Sequence, residues 1–336
     1  MNLKYYHAYV LGLAAWFAVA LEVHAQPIVM KIGVATINDT QHQWMKFFAG
    51  HLEKRSGGRI KVELYPAGQL GSNPRMTEAT QFGSIQGTVA PAVLLSGVDS
   101  RYALMDAPGL FNDLAHAGRA IQDPKFNAAF LALGANKGLK GVGLFINGPL
   151  AFETRTPVRK PADLQGMKIR VLASDMELEQ IRRLKATPVP MNFSEVLAAL
   201  QTGTIDGQLT TVTACAPLRC YDAGKYLYAT GHAVFVSIAV VSKVWFDKLA
   251  PDLQKHVVES GKTASDEMHQ WSLDFLEAQR QVWLKAGGEI TYPTREDQAY
   301  LQQLLRPVGA QVVAKKPREK ALYELLLEAV KRTEKL

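Results

Sequence analysis

The chain has 336 residues, of which 48% are hydrophobic and 21% charged, a composition typical of a soluble globular protein long enough for two domains. The formal net charge of +7 is spread along the sequence and no basic run alternates with aromatic residues, so nucleic acid is not an expected partner. A mild basic excess suits the attraction of small anions.

The first 25 residues have the pattern of an export signal. Lys4 precedes an uninterrupted apolar run from Ala8 to Leu21, which has the length of a signal-peptide core and is short for a membrane span. Small side chains at Val23 and Ala25 then suit cleavage before Gln26. We therefore expect residues 1–25 to be a Sec signal peptide and the mature protein to be soluble outside the cytoplasm, with a retained membrane anchor as the alternative.

The mature chain begins with a predicted strand–helix–strand unit. Residues 29–35 and 59–65 have strand patterns, and the helical spacing of Trp44, Phe48 and their neighbours predicts an amphipathic helix over 41–54. The aromatic stripe is more typical of a core than of a site. This order of elements predicts an α/β protein with parallel strands.

One ten-residue unit occurs twice. Residues 78–87 read EATQFGSIQG and residues 198–207 read AALQTGTIDG. In both copies a helical segment is expected to end at the first glycine, since glycine is the usual left-handed helix terminator, and a strand is expected to follow. Chance similarity over so short a stretch is the alternative. Two copies in matching contexts favour two similar lobes.

A third strand carries a charge. Residues 167–172 alternate with period two, and Arg170 falls near the carboxyl end of this strand. Ligands of open α/β sheets bind outside the carboxyl ends of strands, and the guanidinium fork matches a carboxylate. The alternative is an edge-strand arginine in a surface salt bridge, which the spacing alone favours.

Two cysteines, Cys215 and Cys220, follow the second repeat. In an exported protein a disulfide can close this short loop. A metal site is not expected, because two cysteines without nearby histidines do not make a ligand set.

Motifs of catalysis are scarce. The sequence has no zinc-protease, Walker A, nucleophile-elbow or dinucleotide-binding motif, and its histidines are scattered. His232 lies close to an expected crossing between the lobes and is interpreted as a hinge contact. Asp206 could act as an acid or base, but its counterpart in the first repeat is Gln86, which favours a structural role.

Three long motifs resemble one family. They read SGGRIKVELYPAGQLG at 56–71, PADLQGMKIRV at 161–171 and TPVPMNFSEVLAALQTGTIDGQ at 187–208, and they resemble the solute receptors of tripartite ATP-independent periplasmic (TRAP) transporters. The resemblance covers nearly all of the mature chain. It implies a two-lobed type II periplasmic binding protein with mixed sheets flanked by helices, which closes on an organic acid in an interlobe cleft.

The resemblance also implies partners and site residues. The receptor would deliver its acid to the membrane subunits of a TRAP permease, without a cofactor or metal, and as a monomer. Arg170 matches the carboxylate-binding arginine of the family, which makes the anchor the better interpretation of that residue. Phe193 matches the aromatic pocket residue, and Pro91 lies in the matching ligand-contacting loop.

Two departures from the family pattern predict a less polar pocket. Leu150 stands where the family often has a second cleft arginine. Leu209 and Thr210 stand where the family often has Glu and Asn, so Thr210 and Gln208 are left to supply neutral hydrogen bonds. We therefore expect a ligand with one carboxylate and an apolar or aromatic remainder, rather than a dicarboxylate or a sialic acid.

The expected first lobe comprises residues 26–147 and 236–275, and the second comprises 148–235 and 276–336. Hinges are expected at 146–148 and 232–235. Two other functions remain open from the sequence: a sensor that presents its closed form to a membrane kinase, and a secreted lyase or hydrolase of organic acids that uses Asp206 or Asp175 with Arg170.

Overall fold

The computed structural model describes residues 26–335 and contains a five-stranded and a six-stranded β-sheet flanked by helices. The predicted mixed α/β fold is confirmed. The predicted signal peptide lies outside the described residues. Within residues 26–335, every helix is too short or too polar to cross a membrane.

Eleven strands are present in the described residues. In chain order they are β1 (Ile28–Val34), β2 (Ile60–Tyr65), β3 (Gly87–Pro91), β4 (Leu139–Pro149), β5 (Ala151–Thr154), β6 (Lys168–Val171), β7 (Thr187–Pro190), β8 (Gly207–Thr210), β9 (Tyr226–Tyr228), β10 (Val234–Ser242) and β11 (Glu289–Thr291).

The α-helices differ widely in length, from single turns to one helix of 35 residues. They are α1 (Thr40–Arg55), α2 (Asn73–Phe82), α3 (Leu114–Ile121), α4 (Pro124–Leu131), α5 (Asp175–Arg183), α6 (Phe193–Thr202), α7 (Val212–Cys215), α8 (Lys243–Phe246), α9 (Pro251–Lys285), α10 (Arg295–Leu305), α11 (Pro307–Val313) and α12 (Pro317–Thr333).

The first sheet has the order β2-β1-β3-β10-β4 and the second has the order β11-β9-β5-β8-β6-β7. In each sheet, parallel strands from βαβ units meet an antiparallel neighbour. The aromatic residues of α1 pack in the hydrophobic core beside the first sheet, as predicted. The Trp44 ring stacks on Phe48 with centroids 5.0 Å apart and on Phe145 with centroids 5.8 Å apart.

Both copies of the repeat fold as the sequence predicts. Helix α2 ends at Gly83 (φ +80°) and α6 ends at Gly203 (φ +74°), each in the left-handed conformation. Each helix leads into a strand, β3 or β8, that has a parallel partner on one side and an antiparallel partner on the other. The carboxyl ends of these two strands lie on facing sides of a cleft.

The chain crosses between the sheets where β4 leads into β5 and where β10 returns, and α9 packs on α1 and β4 and also on α7 and β11. Asn147, near the first crossing, is held by three hydrogen bonds. Thr40 Oγ1 donates to its side-chain oxygen (2.8 Å), its amide donates to Ser237 Oγ (2.7 Å), and its carbonyl accepts from Thr213 Oγ1 (2.9 Å). A hinge at residues 146–148 stays a prediction.

The last helix packs on the first half of the molecule. Tyr323 and Leu326 of α12 share a core with Phe126 and Phe130 of α4. The sequence grouped residues 276–336 with the second lobe, so this helix contacts segments that were assigned to the other lobe. The boundaries of the lobes as moving bodies stay a prediction.

Candidate ligand-binding site

A cavity of about 510 Å³ lies between the two sheets. It is lined by residues that end strands or directly follow them, which is where open α/β sheets bind ligands. Such residues come from β1, β3, β6 and β8: Thr36, Pro91, Arg170, Leu172 and Thr210.

On the side of the cavity formed by the second sheet, the charged lining residue is Arg170. It is 3% exposed, its Nε donates to the Met191 carbonyl (3.0 Å), and its guanidinium carbon lies 5.6 Å from the centroid of the Phe193 ring. Its Nη2 atom is buried and has no hydrogen-bond partner among the described residues. Since unsatisfied buried donors are costly, this nitrogen is suited to receive an anionic oxygen from a ligand.

The electrostatic surroundings leave the guanidinium only partly compensated. Burial lowers the pKa of Arg170, and the nearby Glu177 carboxyl opposes this effect. Glu177 is itself buried, accepts a hydrogen bond from Leu172 N (2.6 Å), and has a pKa raised by burial and by Asp106. An arginine keeps its charge in proteins, so the carboxylate of a ligand would meet a cation in a largely dry setting.

The facing wall is polar but uncharged. Thr36, Gln41 and Asn73 line it, and all three are buried. Thr36 Oγ1, Gln41 Oε1 and Asn73 Oδ1 have no partners among the described residues. Because an amide can present its nitrogen or its oxygen by rotating, this wall can bind a donor or an acceptor of the ligand.

Apolar side chains line the rest of the cavity. They come from both halves of the molecule and would contact the body of a ligand: Leu94, Leu172, Val196, Leu197, Leu209 and Phe235.

Four of the six residues predicted to bind ligand line the cavity: Arg170, Phe193, Thr210 and Pro91. The other two lie elsewhere. Leu150 is 1% exposed and packs in the core of the second sheet. Gln208 is completely buried behind the cavity wall, where its amide donates to Glu153 Oε2 (2.7 Å).

Sequence reasoning missed the polar residues of the facing wall. Thr36 and Gln41 follow the carboxyl end of β1 closely, and Asn73 begins α2. Their positions after a parallel strand and at a helix start were the available signal, since both are places where α/β proteins bind ligands.

The residues considered for catalysis have structural roles. Asp206 Oδ2 accepts a hydrogen bond from Lys168 N (2.8 Å), as Gln86 Oε1 accepts one from Lys31 N (2.9 Å), which supports the structural interpretation of Asp206. Asp175 pairs with Lys316 at the surface (2.6 Å). Neither aspartate lines the cavity.

His232 lies at the second crossing and has a buried ring. It stacks on Phe152 with centroids 5.6 Å apart, its Nδ1 lies 2.6 Å from Thr230 Oγ1, and its carbonyl accepts from Gly109 N (2.8 Å). Burial lowers the pKa of His232 to about 4, so the ring is neutral near pH 7. The contact with Gly109 joins segments of the two predicted lobes, in agreement with the interpretation as a hinge contact.

The two cysteines are buried and free, so the disulfide considered from the sequence is not formed in this structure. Cys220 lines the cavity.

A cleft between two α/β halves, with a buried cation on one side and neutral polar groups on the other, defines a two-lobed solute-binding protein. The profile of the bacterial extracellular solute-binding protein family 7 matches residues 33–316, and the chain belongs to this family. The resemblance to TRAP solute receptors is thereby confirmed. This is a family of transport receptors and not of enzymes, so the lyase or hydrolase considered from the sequence is wrong.

Named relatives cover most of the chain. The 2,3-diketo-L-gulonate-binding periplasmic protein of Escherichia coli is 32% identical over 263 residues, which are 78% of this chain and 79% of that protein. The C4-dicarboxylate-binding periplasmic protein of Shewanella loihica is 28% identical over 303 residues, 89% of this chain and 90% of that protein.

A solved structure has the same fold. It is a TRAP periplasmic solute-binding protein from Desulfovibrio salexigens with bound orotic acid, with a TM-score of 0.85 and 26% identity, covering 91% of this chain and 99% of the other.

Proposed function

We propose that this protein is a periplasmic receptor that binds an organic acid with a single carboxylate and presents it to the membrane subunits of a TRAP permease. The observation that carries the proposal is the buried Arg170, whose Nη2 has no partner among the described residues and which lines the cleft. Among the described residues that line the cavity, Arg170 is the one cation, so a second carboxylate would have no cationic partner there.

The names of the relatives support an organic acid as the ligand. One relative is named for binding 2,3-diketo-L-gulonate and another for binding C4-dicarboxylates, and the solved structure holds orotic acid, a ring with one carboxylate. The single carboxylate of our proposal rests on the cavity and not on these names. A Sec signal at residues 1–25 would place this chain in the same compartment.

The cavity wall suggests three parts of the ligand. Its carboxylate would bind Arg170 and lie beside the Phe193 ring. Its body would be mainly apolar, because leucine, valine and phenylalanine side chains line the cavity together with the polar groups. Its far end would carry a hydroxyl, carbonyl or amide group, which would satisfy Asn73 and Gln41 across the cleft. Such a ligand contacts both halves.

Contact with both halves is what allows a ligand to favour a closed form. A ligand shifts an equilibrium only by its differential affinity for the two states, so groups that bridge the cleft stabilise closure and groups on one wall do not. In our scheme, Arg170 binds the acid first, and bending near residues 146–148 and 232–235 brings Asn73 and Gln41 onto its far end. The membrane subunits of the permease would then bind the closed form.

Thermal unfolding would test the proposal. The mature protein is unfolded and refolded to remove carried ligand, and its melting temperature is measured against a panel of monocarboxylates and dicarboxylates of similar size. A ligand at a hundred times its Kd adds about 2.7 kcal/mol of stability, which is a shift of a few degrees in a chain of this size.

We expect the largest shifts from monocarboxylates with an apolar or aromatic body. A dicarboxylate that shifts the melting temperature more than every monocarboxylate would contradict the proposed ligand class. The absence of a shift with any acid would contradict the receptor assignment.

A further inference from the structure

A buried cluster of three metal-ligating groups lies directly behind the cavity wall. It consists of Glu153 on β5, Cys215 at the end of α7 and Cys220 a short loop later. One ligand atom from each lies within 4.8 Å of the other two, and all three residues are buried. We propose that this cluster binds a divalent cation of the zinc class.

The donor set suits such an ion. Two thiolates and one carboxylate combine soft and hard donors, as zinc accepts, whereas magnesium and calcium prefer oxygen donors alone. Zinc–sulfur bonds of about 2.3 Å in a tetrahedral site place two sulfurs roughly 3.8 Å apart. The observed separations, all within 4.8 Å, need only a small adjustment to reach this geometry.

Glu153 distinguishes a metal site from a pair of cysteines. It is completely buried, and its Oε1 has no partner among the described residues. A disulfide would join the two sulfurs and leave this buried carboxyl oxygen unpaired, which is costly. A bound cation uses all three groups, so the metal site accounts for the burial of Glu153 as well as for the two thiols.

Neighbouring polar groups already orient two of the three donors, Glu153 and Cys215. The Gln208 amide donates to Glu153 Oε2 (2.7 Å) and to Cys215 Sγ (3.4 Å), and Thr210 Oγ1 lies 3.1 Å from the same sulfur. Hydrogen bonds of this kind fix the orientation of metal ligands and tune their basicity. Gln208 therefore has a positioning role here.

Charge and access also fit. Two thiolates and a carboxylate carry one negative charge more than a divalent cation, and Arg170 is close enough to Cys215 for the positive guanidinium to favour this excess. Cys220 lines the cavity, so an ion can enter from the cleft and a water molecule can complete its coordination. The sequence argument against a metal missed Glu153 because this residue is distant from the cysteines along the chain.

Cobalt provides a spectroscopic test. The mature protein is reduced with a phosphine, freed of metal with a chelator, and titrated with Co²⁺ followed by Zn²⁺. We expect one equivalent of Co²⁺ to produce a thiolate-to-cobalt charge-transfer band with a tetrahedral visible spectrum, and one equivalent of Zn²⁺ to abolish both. Cys215→Ser and Cys220→Ser should lose the band, and Glu153→Gln should bind Co²⁺ at least tenfold more weakly.

Glu78→Gln is the matched control, since Glu78 is exposed on α2, and it should titrate like the wild type. If a cysteine variant fails to fold, alkylation of the wild type replaces it, and Zn²⁺ should protect both thiols from modification. Two results would overturn the proposal. One is a Cys215–Cys220 disulfide in protein isolated from the periplasm, with no cobalt band after reduction. The other is unchanged Co²⁺ affinity in Glu153→Gln.

Discussion

The two sides of the cleft are built from the same unit, yet within residues 26–335 the charged side chain that lines the cleft, Arg170, belongs to the second half. In each copy of the repeat, a helix ends at a left-handed glycine, and the side chain three positions later, Gln86 or Asp206, accepts a hydrogen bond from the backbone of the parallel strand. The strand neighbours of β3 and β8 also match. The frame of the two halves is therefore equivalent.

Strand register locates the difference. Ile32 pairs with Gly87 in the first sheet and Ile169 pairs with Gly207 in the second, so the next residue along is Gly33 in one and Arg170 in the other. A Cβ at Gly33 would lie 2.7 Å from Met76 Sδ and 3.2 Å from Leu70 Cδ1, so a side chain there would require these two side chains to move. The two halves thus share the same helix, glycine and strand arrangement, and at this one position the first half has Gly33 where the second has Arg170, the proposed anion anchor.

Removing the anchor should have the largest effect. We expect Arg170→Ala to lower the affinity for the best acid at least a hundredfold, about 3 kcal/mol or more, because the buried carboxylate loses its partner. Isothermal titration calorimetry measures the loss. Arg182→Ala, on the exposed face of α5, is the matched control and should bind normally. Equal losses in both variants would contradict a specific role of Arg170 as the anchor.

The same glycine-to-alanine substitution should lower the free energy of unfolding by different amounts in the two copies of the repeat. A Cβ at Gly207 would lie 2.5 Å from the Glu153 carbonyl oxygen, whereas one at Gly87 would lie 3.2 Å from the Val240 carbonyl oxygen. We expect Gly207→Ala to lower the free energy of unfolding by about 2–3 kcal/mol and Gly87→Ala by about 1 kcal/mol or less. Urea unfolding gives both values. A larger loss in Gly87→Ala would show that the two copies are packed differently from the structure.

Contact between the halves should depend on pH through Asp106. Its carboxylate accepts from Ser174 Oγ (2.8 Å), its carbonyl accepts from the Gln180 amide (3.0 Å), and burial raises its pKa to about 7. A carboxyl group with a raised folded-state pKa binds its proton more tightly in the folded state, so its contribution to stability falls as pH rises from about 4 to about 7.

Asp106→Asn should remove this decline, so its melting temperature should gain on that of the wild type over the same range of pH. Asp123→Asn is the control of opposite sign, because Arg332 lowers the pKa of Asp123 and the stability from that pair is lost only at more acidic pH. Its difference from the wild type should stay constant between about pH 5 and about pH 7. If the melting temperatures of wild type and Asp106→Asn changed in parallel between about pH 4 and about pH 7, the prediction would be contradicted.

The smallest effect is expected at Asp206. An asparagine keeps an acceptor for the backbone amide of Lys168, so Asp206→Asn should cost about 1 kcal/mol of stability or less and leave the affinity for the acid unchanged. Calorimetry and urea unfolding check the two statements. A large loss of affinity would give Asp206 a role at the ligand that its counterpart Gln86 does not share.

Local sequence patterns predicted the bounds of the helices and strands well. The helix predicted over 41–54 is observed at Thr40–Arg55, and the strand predicted over 167–172 is observed at Lys168–Val171. Both rest on periodicity and on residues that begin or end an element. The carboxylate anchor at Arg170 came from a resemblance, since spacing alone favoured a surface role.

The rest of the cavity wall and the Glu153 cluster could not be predicted, because both depend on contacts between residues that are distant in the sequence. Asn73 and Gln41 face Arg170 only because two sheets meet, and Glu153 joins Cys215 only because β5 lies beside β8. Leu150 and Gln208 were assigned to the pocket from their positions relative to the family motifs, but both lie behind the cavity wall, because a motif does not give the direction of a side chain.

The most direct test is a crystal structure of the mature protein with the acid that binds most tightly. We predict that one carboxylate oxygen lies within hydrogen-bond distance of Arg170 Nη2 and that a polar group at the far end of the ligand contacts Asn73 or Gln41. A carboxylate held by the first half of the molecule, with Arg170 Nη2 not bound to the ligand, would contradict the account.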